Sequence, residues 1–179
     1  MIAPTRSSIY VGILIAVASQ VPPFRAVMAQ AASEPDHAAV IELGGAGEWP
    51  VTGGRGSLGG TLAAEVTPIE HWLELEGGVA VLGSASQREV DADFVFKKPF
   101  QLSSHVEFMG GIGPDVTWTL RGGGPARALA AEAVADFMFW PTKNVGWYAE
   151  PSCAATGARW NRTSVGLTAG LIVGVPWLR

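Results

Sequence analysis

The chain has 179 residues, 48% of them hydrophobic and 23 of them glycine, with 12 Lys and Arg against 16 Asp and Glu for a formal charge of −4. That length suits one domain and is short for two. The acidic balance gives nucleic acid no footprint, and the single cysteine, Cys153, excludes an intrachain disulfide and any metal site built on paired cysteines.

The first stretch carries Arg6, an apolar run from Ile9 to Ala18, and small residues at Val27 and Ala29. This is the layout of a secretory signal peptide, expected over residues 1–29 with cleavage after Ala29. The apolar run is about half the ~20 residues that a membrane-spanning helix needs. Cleavage would remove Arg6 and Arg25 and no acid, leaving the mature chain more acidic still. Residues 30–38, which include SEPDH, read as a flexible lead-in.

From Ala39 onward the pattern is alternation in segments of about ten residues, broken by clusters of Gly, Pro, Ser, Asn and Thr. The spacing predicts eight strands: 39–47, 57–66, 72–82, 89–97, 105–116, 128–140, 145–154 and 164–175. In the third, Leu73, Leu75, Val79 and Val81 share one face while Glu74 and Glu76 share the other. In the fourth, Val90, Ala92, Phe94 and Phe96 oppose Asp91, Asp93, Val95 and Lys97. The sixth is alanine-rich and could form a helix. Its period of two, with Leu129, Ala131, Ala133, Ala135, Phe137 and Phe139 on one face, favours a strand. The reading is all-β, an eight-stranded antiparallel up-and-down barrel over residues 39–179. Glycine-rich, strongly apolar strands suit a sheet with one lipid-facing side. An even strand count puts both ends on one side, the periplasm. The turns at 67–70, 98–104 and 141–144 would then be periplasmic, with longer outer loops at 48–56, 83–88, 117–127 and 155–163.

Alternation alone does not say which face points outward, because a soluble lipocalin-like carrier has the reverse polarity. The aromatics favour a membrane barrel. Trp72, Phe96, Phe139, Trp140, Trp147 and Trp177 fall near one set of strand ends, and Trp49, Trp118 and Trp160 near the other, as two interfacial girdles require. The stretch DFMFWPTKNVGWYAEPS, residues 136–152, fits the same scheme. An odd-numbered turn pairs Phe139 with Trp147 on the lipid face and brings Asp136 and Glu150 together inside, as a candidate pair sharing a proton. The lumen then collects Glu42, Glu65, Glu74, Glu76, Asp91, Asp93, Glu107, Glu132, Asp136 and Glu150, with Lys97 as the clearest basic partner, placed to pair with Glu74. Pro114 and Pro151 are expected at bulges or at the outer rim. A rim ligand site at Asp115 and Glu150 is a lesser reading.

Three motifs carry a family resemblance: FVFKKPFQLSSHVEFMGGIGPDVTW (94–118), DFMFWPTKNVGWYAEPS, and the closing SVGLTAGLIVGVPW (164–177). With the strand rhythm, the chain from 39 to 179 resembles the small eight-stranded outer-membrane barrels of Gram-negative bacteria, the group of the OmpA membrane domain, OmpX and the opacity-type proteins. Within that group it looks like a set of uncharacterised proteobacterial barrel proteins. The resemblance implies an outer-membrane location, insertion by the barrel-assembly machinery and lipid as the surrounding partner. It brings no established activity. Barrels of this group commonly end in an aromatic residue, whereas here Trp177 is followed by Leu178 and Arg179.

No cofactor is expected. GGRGSLGG (53–60) lacks the lysine of a phosphate loop, and His37, His71 and His105 lack zinc-ligand spacing. Ser103, His105 and Glu107 share a face and are the best candidates for lipid hydrolysis, but they lie at the expected periplasmic end. The expected role is therefore structural or surface-interactive and not enzymatic, with an unidentified ligand at the outer loops. A small cation-permeable channel or transporter is the alternative, followed by a lipid-modifying enzyme or a periplasmic carrier.

Overall fold

The computed structural model describes residues 37–176 apart from 86, 122–123 and 158–161. The expected signal peptide and most of the lead-in lie outside the described residues, and His37 and Ala38 already belong to the first strand. Eight strands follow in order: β1 (His37–Pro50), β2 (Ser57–Ile69), β3 (Leu73–Gly83), β4 (Arg88–Ser103), β5 (Val106–Arg121), β6 (Gly124–Phe139), β7 (Val145–Thr156) and β8 (Arg162–Pro176). Each pairs antiparallel with its sequence neighbour, and β1 pairs with β8 to close the barrel. Closure leaves no open edge, so every strand is flanked by a hydrogen-bonded neighbour on both sides.

Most strands extend beyond their expected ends, although β3 starts at Leu73 and β6 stops at Phe139, each one residue inside its expected bound. The segment expected as an outer loop at 117–127 is mostly ladder, with Trp118 opposite Arg127 and Arg121 opposite Gly124. The turn expected at 98–104 is likewise strand as far as Ser103, with Phe100 opposite Phe108. Polar residues such as Thr117, Thr119 and Gln101 broke the hydrophobic alternation, although the backbone ladder does not depend on it. The outer loops are therefore not long. The connection after β1 spans 51–56 and that after β3 spans 84–87, where the Ser84 amide donates to the Gln87 carbonyl at 3.0 Å. At the other end, His71 takes a left-handed backbone (φ 57°) in the tight turn between β2 and β3.

The two prolines behave differently from expectation. Pro114 and Pro151 lie within β5 and β7, not at the rim, and neither marks a bulge. Pairing lapses beside each on one neighbouring strand and resumes in the same register. Proline lacks the amide needed for a ladder bond, so the loss is local and the chain keeps its alignment. Irregularities in register occur instead near strand ends, between His37 and Ala39, Val66 and Ile69, and Gln101 and Ser103.

The inside of the barrel is divided. From β5 to β8, Met109, Met138, Trp140, Tyr148 and Ile172 form an apolar cluster. From β1 to β4 come Glu42, Glu65, Glu74, Glu76 and Lys97, all buried. The exterior has the opposite character, with large aliphatic side chains such as Leu43, Leu62, Val81, Ile112, Leu129 and Leu171 exposed all around the wall.

Candidate functional site

Strand alternation groups these acids on one face, and the barrel turns that face inward. Glu74, Glu76, Glu107, Asp136 and Glu150 are buried in the interior, while Asp91, Asp93 and Glu132 are partly buried on the same inward faces. Barrel closure then brings acids from nonadjacent strands together around one base. The Lys97 ammonium forms ion pairs with Asp136 of β6 at 3.0 Å, Glu150 of β7 at 2.7 Å, and Glu76 of β3. It donates hydrogen bonds to Asp136 and Glu76, while Glu150 is held by charge alone.

The lysine stem can cross the lumen because Gly111 stands opposite Lys97 in the ladder. A methyl group at Gly111 would lie 2.7 Å from Val95, 2.9 Å from Lys97 and 2.9 Å from Val134. Glu74 is the ladder partner of Lys97, whereas the contact made with β3 is with Glu76, one step further along the inward face. Asp136 and Glu150 do meet, but Lys97 bridges them, so they are not a bare carboxyl pair sharing a proton.

Two acids named for the lumen complete this centre. Glu42 of β1 and Glu65 of β2, with Glu76 and Asp136, place one carboxylate oxygen each within 4.8 Å of all the others. No spacing in the sequence signals this quartet, because its members come from four strands and include no Cys or His.

Toward the other end lies a second group. Asp93 and Asp115 stand directly opposite each other on β4 and β5, and Gly78 leaves the room that the Asp93 carboxylate occupies. Asp91 stands opposite Thr117 in the same ladder. Nearer the rim, Glu89 accepts from Ser57 at 3.0 Å and Gln87 at 2.7 Å. Asp115, expected at the rim, points inward, and Glu150 is held by Lys97, so the two do not form a rim site.

The aromatics divide into two sets. Trp49, Trp72, Phe96, Trp118 and Trp147 are exposed on the outside, and Phe139 is partly so. The β6–β7 register is the odd one: Phe139 opposes Trp147 and the rings stack at 3.9 Å and 11°. Lys98 sits 5.8 Å from the Trp72 ring and donates to the His71 carbonyl at 2.9 Å. Trp140 requires a correction. It is only 5% exposed and packs inside against His37, because it shares parity with Met138 and not with Phe139. Trp160 and Trp177 lie outside the described residues.

The hydrolase arrangement is not assembled. The His105 ring meets Ser104 at 2.8 Å, while Ser103 accepts from the His105 backbone amide. The imidazole sits in an exposed turn and Glu107 is buried inside the barrel.

A closed eight-stranded antiparallel wall, apolar outside and charged inside, is the fold of the small outer-membrane β-barrel proteins. Solved structures agree at the level of fold. The chain is similar to Neisserial surface protein A (13% identity, TM-score 0.56, covering 76% of this chain and 95% of that one). It is similar also to Ail, the attachment invasion locus protein of Yersinia pestis (13%, 0.57, 77% and 98%). A third is the outer membrane protein OprG from Pseudomonas aeruginosa (9%, 0.58, 80% and 100%). No protein-family model and no curated protein matches the sequence.

Proposed function

We propose that this chain is a Gram-negative outer-membrane barrel, exported by a cleaved signal peptide, with a structural or surface-interaction role and a lumen closed by its own side chains. The observation that carries the reading is the inverted polarity of the wall. Leu171 is 60% exposed and Leu129 63%, whereas Lys97 and Asp136 are essentially inaccessible. In water that distribution would be strongly unfavourable, since each exposed aliphatic side chain forgoes roughly 1.5–3 kcal/mol of burial. In a bilayer it is the stable arrangement. The exposed Trp and Phe residues near strand ends would sit at the two interfaces.

The contents of the lumen support its closure. Met109, Met138, Trp140, Tyr148 and Ile172 fill one side, and the network on Lys97 occupies the other. A filled lumen would leave interaction to the loops at the outer rim, where Arg55 and Arg88 are exposed. Ail has been solved in complex with the heparin analogue sucrose octasulfate, and a ligand at the loops of this chain is the corresponding expectation. Cell fractionation followed by gels with and without boiling tests the placement. Recovery in outer membranes with a boiling-dependent mobility shift is expected, and recovery as a soluble periplasmic protein would overturn it.

One feature favours a second reading, a cation-permeable path. Asp91, Asp93, Asp115 and Glu132 line the interior beyond the Lys97 network. Cation-selective conductance across planar bilayers would support that role, and an electrically silent barrel would remove it.

A further inference from the structure

The buried interior carries seven acids, Glu42, Glu65, Glu74, Glu76, Glu107, Asp136 and Glu150, and among the described residues Lys97 is the only buried base. Lys97 is already ion-paired with Glu76, Asp136 and Glu150. Oxygens remain that face no donor: Oε1 of Glu42, both oxygens of Glu65 and Oδ1 of Asp136. These side chains are 2%, 1% and 0% exposed, so water does not compensate them from bulk. The neighbour of Glu65 is Glu74, another carboxylate. An unpaired buried carboxylate is among the costliest groups a fold can hold, and here Glu65 is one, beside the unmatched oxygens of Glu42 and Asp136.

We propose that Glu42, Glu65, Glu76 and Asp136 form a binding site for a hard divalent cation, calcium by ligand type. The four donors are all oxygen, which suits calcium, magnesium or manganese and disfavours softer metals. Ligand chemistry separates the first two, because calcium accepts many carboxylates in flexible geometry whereas magnesium keeps several waters and seldom takes an all-protein cage. The four oxygens all lie within 4.8 Å of one another, close enough to share one ion. Tyr148 supplies a further oxygen close by: it is 1% exposed and its hydroxyl lies over Gly44, the next inward residue after Glu42. Beyond the site, Asp93, Asp115 and Glu132 make a negative approach that would concentrate cations.

The site depends on the interior geometry and not on any surface role, so its test needs only a folded barrel. The full chain, refolded into detergent micelles and stripped with EDTA, is titrated calorimetrically with calcium chloride. A boiling-dependent gel shift verifies folding of every sample. One calcium per chain is expected, bound more tightly than magnesium and raising the melting temperature. The double variant E42Q/E65Q should weaken binding by roughly tenfold or more, because affinity follows ligand charge. Should that variant not fold, Glu42→Asp keeps the charge but withdraws the oxygen, and it too must weaken binding. Glu70→Gln, in the exposed β2–β3 turn, should bind as wild type does. Failure of the folded wild type to take up calcium at millimolar concentration would overturn the site and leave protons as the neutralising species. Undiminished binding by E42Q/E65Q or Glu42→Asp would overturn it equally, placing the ion elsewhere.

Discussion

Replacing Lys97 with methionine keeps most of the stem's volume and removes one charge. Glu76, Asp136 and Glu150, each ion-paired with that ammonium, would then face one another with no counter-charge among them. Removing one partner of a buried ion pair costs about 3–5 kcal/mol, and here one removal strands three carboxylates. A loss of about 4 kcal/mol would raise the unfolding equilibrium constant roughly a thousandfold. Urea unfolding in lipid vesicles with EDTA present, followed by tryptophan fluorescence, measures this directly, and Trp140 inside the barrel supplies an interior signal. The quadruple variant K97M/E76Q/D136N/E150Q removes charge from both sides and should regain most of the lost stability, since neutral replacement of a buried ionic group is often tolerated. A K97M loss below about 1 kcal/mol, the scale of an exposed pair, would refute the reasoning. So would a quadruple variant no more stable than K97M.

Leu171→Arg, on the outward wall, should cost about 2–4 kcal/mol in vesicle unfolding if that face meets lipid, and close to nothing if it meets water. Gly111→Val should destabilise by about 1–3 kcal/mol, because even its first carbon meets Val95, Lys97 and Val134. Phe139→Ala and Trp147→Ala in a double-mutant cycle should reveal a coupling of about 0.5–1.5 kcal/mol from the stacked rings; additive losses would mean the stack contributes nothing specific. Trp140→Ala should cost about 3–5 kcal/mol as a core truncation, well beyond what loss of an interfacial anchor would produce.

The period-two pattern was enough to assign the strands and their faces. Leu73 to Val81 and Phe94 to Phe96 read correctly because side-chain alternation is a local property of extended backbone. The Phe139–Trp147 register was legible for a related reason: a one-residue slip would have moved Glu150 to the apolar face. Strand ends were less legible, since Thr117, Thr119 and Gln101 look like loop by hydrophobicity while their backbones still pair. Trp140 lies at a strand end, where an interfacial residue is expected, but its parity with Met138 turns it inward.

What the sequence determined by itself was an eight-strand all-β chain with an acidic face and an apolar face, because a repeat of two needs no distant information. Only the tertiary structure decided what those acids meet. Pairing β1 with β8 curls the sheet until Glu42, Glu65, Glu76 and Asp136 share one point, and Lys97 reaches across to Asp136 and Glu150. The physical reason is the narrowness of an eight-stranded barrel, in which inward side chains from opposite walls are contact neighbours although no spacing along the chain relates them.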